Sequence, residues 1–247
     1  MRLRDYRILY RKLNSVNDIP LLASEFEISE EALLNILAQK IVRTATSRYY
    51  KVKSYSDTLL HEWLNGKTFT QLANSLKFPP VLTASLILQQ YGISKRRFWK
   101  YLTNLELVKE ERVREELREA CDKDPVYSPA SLEAQRRRGE EVEIYVKKWL
   151  IRKGLDFERQ EQLKKRYRKT PDFLLKSPLK IDRLKINWVE CKASFCDPIE
   201  FKKSARKQFL PYRKLFGSGL VVYWLGYLED LRFLRRVIVK DRSYFVQ

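Results

Sequence analysis

Two short stretches hold residues whose types and spacing could do chemistry. YRKTPDFLL (167–175) is followed by INWVECKAS (186–194). In a strand, alternate side chains share a face. Glu190 and Lys192 therefore point one way, and Val189 and Cys191 the other. Asp172 begins the preceding strand, and a hairpin would bring its carboxylate beside that of Glu190. Two carboxylates at one point repel each other, and a divalent cation between them removes the conflict. Oxygen donors without histidine favour Mg²⁺ or Mn²⁺, with the backbone carbonyl of Cys191 as a further ligand. Lys192 would then stand beside a water activated by that ion. There it can orient or deprotonate the water, or stabilise charge developing on a phosphate. A third acid from the preceding helix, Glu140, Glu141 or Glu143, would complete the set.

The surrounding charges suit a phosphodiester. Lys164, Lys165, Arg166, Arg168 and Lys169 lie directly upstream of Asp172, and Lys202, Lys203, Arg206 and Lys207 downstream of Lys192. Such residues neutralise phosphates without reading sequence. The chain has 50 Lys and Arg against 31 Asp and Glu, a net charge of +19. Residues 131–247 hold 29 basic and 15 acidic side chains, residues 1–130 only 21 and 16. That excess points to nucleic acid. No apolar run is long enough to span a bilayer, and the charged N-terminus reads as neither signal peptide nor anchor. Cys121, Cys191 and Cys196 are an odd set without CxxC spacing, which fits a reducing, intracellular setting. The expected place is the cytoplasm of a prokaryote, or the nucleus and cytoplasm of a eukaryote. His61 is the one histidine, so histidine triads and HExxH zinc sites are excluded from the second half of the chain.

The pattern of residues predicts the elements that must position these groups. Residues 1–105 read as an all-helical domain with helix-turn-helix units. One helix spans about 3–14, and another carries Leu21, Leu22 and Phe26 on one face. After the Ser29 cap, a third carries Leu33, Leu34, Leu37 and Ile41. Further helices end at Gly66 and Gly92, with Thr68 or Thr70 and then Pro79-Pro80 between them. Arg43, Arg48, Lys51 and Lys53, and Lys95, Arg96, Arg97 and Lys100, could grip a duplex; the other reading is a protein-docking domain. Residues 106–130 read as a charged helical connector. From 132 one long helix runs to Gly154. A short strand at LDFERQEQL, a hairpin with a proline in its turn, a helix broken at Pro211, a strand in GLVVYWLGYL buried on both faces and a last strand at RRVIVKD follow. Residues 131–247 are thus an α/β (α+β) domain, a central mixed sheet flanked by helices.

PD at 171–172 with ExK at 190–192 resembles the PD-(D/E)xK nuclease superfamily. Either motif alone carries little, but their joint spacing after a glutamate-bearing helix and inside basic flanks carries more. GEEVE at 139–143, followed by RKG at 152–154, is similar to the first helix of archaeal Holliday junction resolvases. That resemblance selects Glu143 as the third metal ligand. QFLPY, Gln208 to Tyr212, resembles the QxxxY motif of RecB-type nucleases, which gives both residues a role in supporting the site or contacting nucleic acid. KTPDFLL, WVECKASF and FGSGLVVYWLGY together resemble the TPD-domain family (codanin-interacting nuclease-like), which places helix-turn-helix units before a restriction-endonuclease-like core. This likeness implies a Mg²⁺- or Mn²⁺-dependent nuclease with Asp172, Glu190 and Lys192 at its centre. Cys191 and Cys196 stand where the family more often has Ser and Gly. A codanin-like partner follows only for an animal source. A homodimer is compatible with cutting two strands. The alternatives are a catalytically silent nucleic-acid-binding adaptor that docks partners through its helices, and a complex subunit whose basic surface meets an acidic protein.

Overall fold

A strand of Gly, Leu, Val, Val and Tyr has almost nothing to offer water, and Gly219–Tyr223 is buried at every position. It is β4 of a five-stranded sheet in the computed structural model, which describes residues 1–246. The others are β1 (Phe157–Arg159), β2 (Phe173–Ile181), β3 (Leu184–Lys192) and β5 (Val237–Lys240). Their spatial order follows the sequence. β1–β2 and β2–β3 are antiparallel, β3–β4 and β4–β5 parallel. The sheet is therefore mixed and the fold is α+β, as the sequence implied. Parallel strands covered on both faces account for the unbroken apolar run of β4.

The chain divides into two compact units, residues 1–37 with 137–247, and residues 38–136. The division differs from the expected one, in which 1–105 formed one helical domain. In the structure, α1 (Leu3–Lys12), α2 (Ile19–Phe26) and the start of α3 (Glu30–Lys53) belong with the sheet. The physical reason is a set of long-range polar contacts. The Met1 amine pairs with Glu229 at 2.6 Å, and the Leu3 N–H donates to Asp230 at 2.9 Å. The Tyr6 hydroxyl donates to buried Asp197 at 2.6 Å, and the Phe195 N–H to Asn35 at 2.8 Å. Within these helices Leu22, Leu33 and Leu37 are buried, but Leu21 is 72 % exposed and Leu34 is exposed; Ile36 takes the inward place instead.

In the sheet-bearing unit, the part of α9 (Pro129–Arg152) from Arg137 onward covers one face of the sheet. Val142, Val146, Trp149 and Leu150 pack there on Phe173, Val189, Leu220 and Val222. The other face carries Trp188, Val221, Tyr223 and Val239 against Phe201, Phe209 and Tyr212. These come from α11 (Pro198–Ser204), a π-helical segment (Ala205–Phe209) and α12 (Leu210–Phe216). α10 (Gln160–Leu163) follows β1. The break expected at Pro211 is thus a π segment just before it. Proline offers no N–H and its ring crowds the carbonyl four residues back, so the preceding turn widens. The hairpin differs too. Pro178 lies within β2, where the register shifts between Leu174 and Leu179, because a proline cannot serve the ladder and is tolerated at a bulge. The turn itself is Asp182-Arg183, with Asp182 in the left-handed region at φ 52°.

The second unit includes α4 (Ser56–Leu64), α5 (Phe69–Leu76), α6 (Pro80–Gln90), α7 (Lys95–Thr103) and α8 (Glu111–Lys123). Thr68 and Ser94 cap α5 and α7. α8, expected as a connector, is a wall of this core. Val113 and Leu117 are buried in it, and buried Glu116 accepts from Trp63 Nε1 at 2.9 Å and the Phe69 N–H at 3.1 Å.

Candidate active site

β3 is paired on both sides, so its side chains have little freedom. Trp188 packs into one cluster and Val189 into the opposite one. The alternation continues and sets Glu190 and Lys192 on the face covered by the π segment and α12. Glu190 is 2 % exposed. Its Oε1 accepts from Lys192 Nζ at 2.7 Å and from Gln208 Nε2 at 2.8 Å, and Lys192 Nζ also donates to Gln208 Oε1 at 2.8 Å. The three side chains close a triangle. Glu190 Oε2 is buried with no hydrogen-bond partner among the described residues, a costly position for a carboxylate oxygen.

Asp172 is half-buried one residue before β2. The ladder between β2 and β3 stops at Phe173 and Val189. The Cys191 N–H donates instead to Asp172 Oδ2 at 2.7 Å, which ties Asp172 to β3. Burial, then the charge of Glu190, pushes the Asp172 carboxyl up to about 7; the Cys191 N–H, Lys192 and Arg159 oppose that shift. Burial raises Glu190 as well, with Lys192 opposing. Glu143, on α9, is raised by burial and then by Asp172, and Arg159 pulls it down. The three acids feel one another's charge, so the place is short of positive charge. Among the described residues, however, no three histidine, cysteine, aspartate or glutamate side chains are gathered closely enough to hold a metal ion as they stand. The donor chemistry does fit a hard divalent cation: the groups are oxygen donors, and one buried oxygen lacks a partner. Cys191 brings its backbone to the site; burial pushes its thiol well up, so it stays neutral.

The structure brings Asp172, Glu190, Lys192 and Gln208 together, with Glu143 adjoining. Tyr212 is 3 % exposed and stacks edge-on to Trp188 with ring centroids 5.3 Å apart. Its ring thus faces the core rather than solvent. Lys164, Lys165, Arg166, Arg168, Lys169, Lys202, Lys203, Arg206 and Lys207 are all exposed. Among the described residues, Arg166 alone of these nine is committed to an ion pair, with Glu158 at 2.5 Å. In the other unit, Arg96, Arg97 and Lys100 line an open cavity of about 520 Å³ with Ser94, Tyr101 and Leu107.

Sequence reasoning missed Arg159. Its β1 position pairs with Phe173, beside Asp172, and its Nη2 lies 3.4 Å from Glu143 Oε2. Nothing in its type or spacing marks it; only the β1–β2 register does.

The fold and site define an α+β protein with a mixed sheet and a buried carboxylate–lysine–glutamine centre on its middle strand. Residues 109–243 match the family described as "Protein of unknown function TPD sequence-motif". The chain belongs to this TPD family. It is 28 % identical over 221 residues to CDAN1-interacting nuclease 1 of Homo sapiens and to that of Bos taurus; each match covers 82 % of this chain and 78 % of the relative. The Xenopus laevis protein of that name is 28 % identical over 232 residues, covering 86 % and 77 %. No solved structure matches.

Proposed function

We propose that this protein is a Mg²⁺- or Mn²⁺-dependent nuclease that hydrolyses phosphodiester bonds, with DNA, structured DNA included, ahead of RNA. The observation that carries the reading is buried Glu190, whose Oε2 has no partner among the described residues while its Oε1 meets Lys192 and the charges of Asp172 and Glu143 are felt within the same site. The relatives' names add support. Asp172, Glu190 and Glu143 would hold the cation, with the Cys191 carbonyl as a candidate fourth donor. When bound, the cation supplies Lewis-acid activation of the phosphate and the attacking water. Lys192 gives Nζ donors to the water or to a phosphate oxygen as charge builds there. Gln208 fixes Lys192 and Glu190 against each other. One P–O bond forms to water, and one P–O ester bond breaks.

The competing reading is a silent adaptor, favoured by the lack of a ready-made three-acid cluster among the described residues. Its partner would be a codanin-like protein if the source is an animal. We place the protein inside the cell; no helix among the described residues is long and apolar enough to cross a membrane.

The test incubates the protein with labelled single-stranded, duplex, flap and four-way-junction DNA, and with RNA, in Mg²⁺, Mn²⁺ or EDTA. Asp172→Ala and Lys192→Ala run alongside. Cutting that needs the metal and falls about a hundredfold or more in each variant is the expected result. Binding without cutting on every substrate favours the adaptor.

A further inference from the structure

The carboxylates of the site divide their cations unequally. Lys192 belongs to Glu190 and Gln208. Arg159 stands beside Glu143 and, through its pairing with Phe173, next to the Asp172 segment, yet its hold there is slight. One Nη2 contact reaches Glu143 at 3.4 Å, and Nε lies 3.9 Å from Glu161, beyond hydrogen-bond reach. Neighbouring pairs are far tighter: Arg166 meets Glu158 at 2.5 Å. The Arg159 side chain is 40 % exposed, so it has room to turn. Most of the five donors of its guanidinium are unspent, and that planar fork matches a phosphate oxygen pair.

We propose that Arg159 is a substrate-binding residue held in reserve. It competes with a divalent cation for Glu143, and when the cation wins, its guanidinium turns to the phosphodiester. The proposal rests on the nuclease reading and adds a device to it. A +1 charge beside an incoming +2 charge is repelled, so metal loading itself would deliver the arginine to the phosphate. Premature binding of cation without substrate would be held down.

The test measures Mn²⁺ binding to the full chain without nucleic acid, by the electron paramagnetic resonance signal of free Mn²⁺. Wild type, Arg159→Ala, Arg159→Lys and Asp172→Ala are compared, and cutting is measured on the best substrate. Arg159→Ala is expected to bind Mn²⁺ about threefold tighter and to cut about a hundredfold more slowly. Arg159→Lys keeps near wild-type Mn²⁺ affinity, because the charge stays, but loses most of the cutting, because the fork is gone. Unchanged or weaker Mn²⁺ binding in Arg159→Ala overturns the proposal, and so does tighter binding with undiminished cutting. If wild type binds Mn²⁺ and Asp172→Ala does not, the metal site stands whatever Arg159 does. If neither binds it, the nuclease reading falls and takes this proposal with it.

Discussion

Asp172 carries a charge that the folded chain holds at a cost. An exposed aspartate titrates near 3.9, and here the carboxyl is pushed up to about 7 by burial and by Glu190. Between those values the folded state binds more protons than the unfolded one, so stability falls as pH rises through that window. Below about pH 4 both states are protonated and the penalty vanishes. Asp172→Asn keeps an oxygen for the Cys191 N–H and removes the charge. It should therefore abolish cutting yet raise stability at pH 8 by about 1–2 kcal/mol, discounted for the partial exposure of the site, which is a few degrees in melting temperature. The gain should shrink to nothing near pH 4. Calorimetric melts of both proteins at the two pH values in EDTA check this; an Asn variant less stable than wild type at pH 8 would contradict it. At this scale the juxtaposition of Asp172, Glu190 and Lys192 was legible. Strand alternation gave Glu190 and Lys192 one face, and the hairpin brought Asp172 to them. Arg159 was not, because one arginine in a three-residue strand has no pattern to betray it.

Secondary-structure elements show how tightly that centre is framed. Gly219 begins β4 opposite Trp188 of β3. A Cβ there would sit 2.0 Å from Trp188 Cε2, and the indole cannot yield easily, since its Nε1 donates to Gly217 O at 3.0 Å and its ring packs on Tyr212 and Phe209. Gly219→Ala should cost about 3 kcal/mol, at the upper end for overpacking, seen as a lower urea midpoint. It should also slow cutting, because Trp188 lies two residues from Glu190 on the same strand face. Trp188→Leu in the same chain should restore part of the stability; a Gly219→Ala protein as stable as wild type would refute the account. Most elements could be read from apolar period and caps, as with β4 and the Thr68 cap of α5. What could not be read was irregular backbone. Pro178 announced a turn but sits at a bulge, and Pro211 announced a kink but follows a π segment. Both depend on which carbonyl the missing N–H would have met, and that is set by tertiary packing.

Long-range pairings decide the larger arrangement, and these leave little trace in a sequence. Tyr6 with Asp197, and Met1 with Glu229, assign the first helices to the sheet-bearing unit, although their composition reads as one with the helices after them. Charge, by contrast, is additive and visible at once. The net +19 and its concentration in residues 131–247 survive folding as exposed, mostly unpaired side chains that flank the carboxylate residues in the sequence. Cations that neutralise phosphates release counterions, and the affinity then falls with salt by about 0.9 in log–log slope for each duplex phosphate contacted. Duplex binding measured in Ca²⁺ from 50 to 200 mM salt should give a steep slope, on the order of −5. Replacing Lys164, Lys165, Arg168 and Lys169 by alanine should flatten it by about 3.6 if each meets one phosphate, while leaving the melting temperature nearly unchanged, since all four are exposed. The affinity lost should be similar for unrelated sequences, because phosphate contacts position a duplex without reading it. If the quadruple variant kept the wild-type slope, these residues would face something other than nucleic acid, and an acidic protein surface would become the better account of the charge.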